Sequence, residues 1–153
     1  MTQAEFEAIQ ADPTKIIDGD INWTEDEDHS LSVEFRCDIS SQPNYPLFIQ
    51  GSYNHAIGKL RYSVIHRGAG RIYGLCMGSD HHNPTCQMVG GDRHLHVWND
   101  VSRDKDAIIP AHILADVHNP RAVWEQFCAG WNVLHRGAMQ APPFILLPLV
   151  GGF

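Results

Sequence analysis

From Leu31 to Ile39 the chain alternates without a break. Leu31, Val33, Phe35, Cys37 and Ile39 fall on one side, and Ser32, Glu34, Arg36 and Asp38 on the other. A period of two is the mark of a strand with one buried and one wet face. Leu47, Ile49, Gly51 and Tyr53 repeat it after Pro46, and Leu60, Tyr62 and Val64 repeat it after the turn at Asn54 to Gly58. Gly68-Ala69-Gly70 supplies a tight connection into Ile72 to Met77. Arg93 to Trp98 reads as a further strand, and Ala107 to Pro110 as the final one. Short turns between successive strands predict an antiparallel meander of about six strands, because parallel neighbours need a long crossover.

Two segments follow the helical period instead. Thr2 and Glu5 stand three apart, the spacing of a capping box, so a short helix begins there with Phe6 and Ile9 on its buried side. Asn119-Pro120 pairs a capping side chain with proline at the first helical position. Trp124, Phe127, Cys128, Trp131 and Leu134 then recur at spacings of three and four, which predicts one long helix to about Arg136 whose aromatic stripe covers the sheet. His135 and Arg136 would complement its dipole, and Gly137 would stop it. Ile16, Ile17 and Ile21 flank Asp18-Gly19-Asp20 as two short extended pieces around a turn. The fold class is therefore α+β, a single domain over 1–153, with a proline-containing apolar tail at 141–153 packed on the domain or exchanged with a second copy.

With 153 residues and 43% hydrophobic positions, the chain can bury a core of its own. Its 11 Lys and Arg against 18 Asp and Glu leave a formal charge of -7, which disfavours nucleic acid held by charge alone. No apolar run is long enough to span a bilayer, and the first ten residues lack an exported leader's pattern, so the expected location is cytoplasmic. Cys37, Cys76, Cys86 and Cys128 are widely spaced, consistent with reduced thiols.

Histidine changes the picture. There are ten, and five of them are His66, His81, His82, His94 and His96. In a strand over 93–98, His94, His96 and Trp98 share the face opposite Leu95 and Val97, onto which the loop bearing His81, His82 and Cys86 can fold. Three readings of this cluster stand. His81, His82, His94 and His96 would hold a divalent metal, zinc first among them, because an H-x-H pair on a strand sets two imidazoles side by side. Alternatively His94, His96 and His81 would do acid-base chemistry on a phosphodiester, with Arg93 or Lys105 stabilising developing charge. In the third, Asp80, Asp92 and Asp100 hydrogen-bond the histidines, which simply hold a long loop.

His81-x-Asn83-Pro84, Gly91 and His94-x-His96, followed by Asp104-Lys105-Asp106 and the tryptophan-bearing helix, resemble a family of small uncharacterised proteins from bacteria and their phages. That resemblance covers about half the chain and implies a cytoplasmic protein of mobile-element type, without a reaction. His94-x-His96 with Asp100 is also similar to the first metal motif of cupins, but the second cupin motif is missing. The expectation is thus a histidine-site protein, a hydrolase of phosphodiesters with or without metal. Its alternative is a non-catalytic interaction module that works through an exposed Trp98 face or the apolar tail, with structural histidines.

Overall fold

The alternating segments pair as the pattern requires. In a computed structural model, described for residues 1–29, 31–78 and 92–143, seven strands form one antiparallel sheet: β2 (Thr24–Glu25), β3 (Ser32–Ile39), β4 (Leu47–Asn54), β5 (Lys59–His66), β6 (Gly70–Met77), β7 (Arg93–Val97) and β8 (Ala107–Ile108). Their order in space is their order in sequence, a pure meander. The short α1 (Gln3–Ala11) and β1 (Ile16–Asp18) precede them, and α2 (Pro120–Trp131) and β9 (Leu134–Arg136) follow. The cap at Thr2 forms as predicted, with Glu5 returning a bond to the Thr2 amide.

Register fixes the faces. Val33, Phe35 and Ile39 stand beside Leu47, Ile49 and Tyr53, and then Leu60, Tyr62 and Val64, on the side that α2 covers. Rings dominate the contact, Trp124 against Phe35 and Tyr62, Phe127 against Tyr62 and Tyr73, and Trp131 against Tyr73 and Phe6. Gly51 makes room for this layer, since a Cβ there would lie 2.2 Å from the Phe35 ring. Lys15 is wholly buried, yet its Nζ donates to the Ile9 and Gln10 carbonyls at 2.6 and 2.8 Å and lies 4.2 Å from the centre of the Trp131 ring. It satisfies acceptors left open at the end of α1, and burial pulls its ammonium down to about 8.

Three expectations change. The final helix ends at Trp131, about five residues early, because Asn132 takes the left-handed conformation and closes it. Leu134, His135 and Arg136 therefore leave the helical stripe and form β9, which runs parallel to β1, so Ala107–Ile108 is not the last strand. Parallel pairing is possible because almost the whole domain serves as the connection. Gly137 works in this pairing rather than as a helix stop, at φ +152 and with no room for a Cβ beside the Gly19 carbonyl. Thirdly, Trp98 lies just past the end of β7, where alternation lapses; its amide bonds the Ile72 carbonyl and its ring packs 5.6 Å from Phe6 in the core. An exposed Trp98 face does not exist. Among the described residues no helix is long and apolar enough to cross a membrane.

Candidate functional site

Strand register sets two rows side by side on the sheet's second face. One runs Glu34, Ser52, Arg61, Cys76, His94, and the next runs Arg36, Gln50, Ser63, Gly74, His96, Ala107. The H-x-H spacing thus sets both imidazoles on one side, opposite Leu95, as read from the sequence. They are not solvated, being 0% and 1% exposed. His96 Nδ1 lies 2.8 Å from the Asp104 carbonyl oxygen, so in the neutral ring that nitrogen is the N–H that donates. Arg71 reaches across Gly74 to the Asp104 carboxylate, Nε to Oδ2 at 3.0 Å. Burial first, and then the Arg71 charge, hold the His96 imidazolium below the usual histidine range, partly offset by the Asp104 carbonyl.

Other predicted participants are placed elsewhere. Arg93 sits on the α2 side of the sheet, where its Nη1 donates to the Ile113 and Ala115 carbonyls at 2.7 and 3.0 Å. Lys105 is exposed in the turn after β7, with its amide on the Ser102 carbonyl. His81, His82 and Cys86, with the tail over 144–153, lie outside the described residues. Among the described residues no group of three or more His, Cys, Asp or Glu is arranged to hold a metal. Cys37, Cys76 and Cys128 are free thiols, and burial pushes the Cys37 thiol up to about 12.

Sequence reasoning passed over the remainder of this face as a wet side. Two grooves cross it, of about 670 and 420 Å³, meeting at Ser52 and Arg61. The smaller is lined by Glu34, Arg36, Gln50, Ser52, Arg61 and Ser63 among others. The Arg36 guanidinium carbon lies over the Phe48 ring, 3.7 Å from its centre. Arg61 is exposed and makes no hydrogen bond or ion pair with the described residues. The signal was present in the alternation of β3, β4 and β5, whose polar positions include Arg36, Arg61, Gln50, Ser52 and Ser63 beside Glu34 and Asp38.

No curated protein and no solved structure matches the chain. A family model does, over residues 1–133, from α1 to the end of α2 and the residues just after it. The chain belongs to that family, a family of unknown function (DUF6978).

Proposed function

We propose that this protein is a non-catalytic interaction module whose working surface is the polar face of the sheet around Arg61, with His94 and His96 as buried supports of that face. The observation that carries the reading is the contrast between the two kinds of side chain on one surface. The imidazoles are sealed from solvent and His96 is bonded to a main-chain carbonyl, whereas Arg61 is exposed, unpaired among the described residues and flanked by Ser52 and Ser63. A guanidinium beside hydroxyls, with no acid of its own, is suited to a carboxylate. Arg36 lines the same smaller groove, where Glu34 is the lone acid, so that groove is basic on an otherwise acidic protein, while the larger groove sets Asp26 and Asp28 against Lys59 and Arg61. The partner this chemistry selects is an acidic segment of another protein.

A second reading keeps one observation in its favour. With Nδ1 on the Asp104 carbonyl, the lone pair of neutral His96 is on Nε2, the arrangement of a histidine that serves as base or metal ligand. In that reading His94 and His96, with His81 and His82, hold zinc or carry acid-base hydrolysis of a phosphodiester. One pair of variants separates the two. Binding of a fluorescent Glu-rich peptide, followed by anisotropy, weakens at least tenfold in Arg61→Glu and stays within twofold in His96→Asn. Hydrolysis of bis(p-nitrophenyl) phosphate with zinc or manganese, lost in His96→Asn and retained in Arg61→Glu, would overturn the module.

A further inference from the structure

Away from this face, a second pair of histidines meets at the end of the sheet. His55 is in the turn after β4 and His118 in the segment entering α2; both are exposed. Their ring centres are 5.4 Å apart and their planes cross at 81°. Two imidazoles on one tetrahedral ion, at a Zn–N distance of about 2.05 Å and with about 1.15 Å from nitrogen to ring centre, would have centres roughly 5.2 Å apart. The observed centre-to-centre distance is close to that spacing.

The surroundings hold His118 by one ring nitrogen. Its Nδ1 is 3.4 Å from Tyr53 Oη, while its Cε1–Nε2 edge faces Gly58, in the same turn as His55. With an ion on Nε2, Nδ1 keeps its proton and donates to Tyr53 Oη, the outer-shell bond that metal-bound histidines usually make. Asp116 accepts the His118 amide at 2.8 Å, which adds a negative charge close to the pair. Gly78, at φ +71, packs so tightly on the Gly58 carbonyl that only glycine fits, so the turn carrying His55 is braced at Gly58.

We infer that His55 and His118 form a surface site for a divalent transition metal that suits imidazole, zinc or copper. Bound there, the ion ties the β4–β5 turn to the entry of α2. The site is independent of the reading given for the polar face. Titration calorimetry of the untagged chain with zinc should show binding that weakens roughly tenfold or more in His55→Gln and in His118→Gln. It should be unchanged in His96→Asn. Copper added to wild type should broaden the His55 and His118 ring resonances before any other histidine's, a readout that needs no variant. Absence of zinc binding, affinity unchanged in both glutamine variants, or broadening centred on other histidines would overturn the site.

Discussion

His96 is a neutral ring whose Nδ1 is held by the Asp104 carbonyl, and its neutrality has a sign that can be tested. Its folded value lies below the ordinary 6.5, so between the two the unfolded chain binds more protons. Stability from this residue is complete above about pH 6.5 and is lost as pH falls from there toward the folded value. His96→Asn, whose amide can replace the Nδ1 donor, should flatten that part of the pH dependence in urea melts between pH 7.5 and 5. His96→Ala leaves the Asp104 carbonyl without its partner and should lose about 1–3 kcal/mol at pH 7.5, more than the asparagine variant. Lys15 obeys the same logic of buried polarity. Replacing it with methionine removes the donor to Ile9 and Gln10, and chemical denaturation should register a loss of about 1–3 kcal/mol.

Among elements, the end of α2 is the informative one. Asn132 adopts φ 60 and ψ 44, which glycine takes freely and alanine only at a steric cost. Asn132→Ala should destabilise by about 1 kcal/mol or slightly more, and Asn132→Gly by less, as read from thermal melts. This residue also shows where pattern reading stops. The alternation of β3 to β7 and the caps of both helices were legible, because each depends on neighbours two to four positions away. The early stop of α2 was not, since Leu134 fits the helical stripe by spacing and its real partner, Ile16, is more than a hundred residues earlier. Trp98 failed for the same kind of reason: the period continues in sequence past Val97, where β7 ends. The H-x-H pair was placed on the correct face, but burial is a property of what lies over a face, and period alone does not carry it.

For the whole molecule, the architecture is an open meander with one face under α2 and the other bearing arginine, serine and histidine. The pairing of β1 with β9 closes the chain around the α2 side, and Met139, buried near Tyr62, completes that layer. Arg121 donates twice to the Met139 carbonyl, and the Gln140 amide bonds the Ile21 carbonyl. A chain cut after Val133, where the family match ends, should therefore lose at least about 3 kcal/mol and melt lower by circular dichroism, since it gives up a buried methionine and a strand pairing together. The most direct test of the working surface is a map of amide shifts in a ¹H–¹⁵N spectrum as a Glu-rich peptide is added. Shifts confined to Gln50, Ser52, Arg61, Ser63 and their neighbours, and absent in Arg61→Glu, are the predicted result. Shifts centred on His94, His96 and Asp104, or none on β4 and β5, would contradict the account.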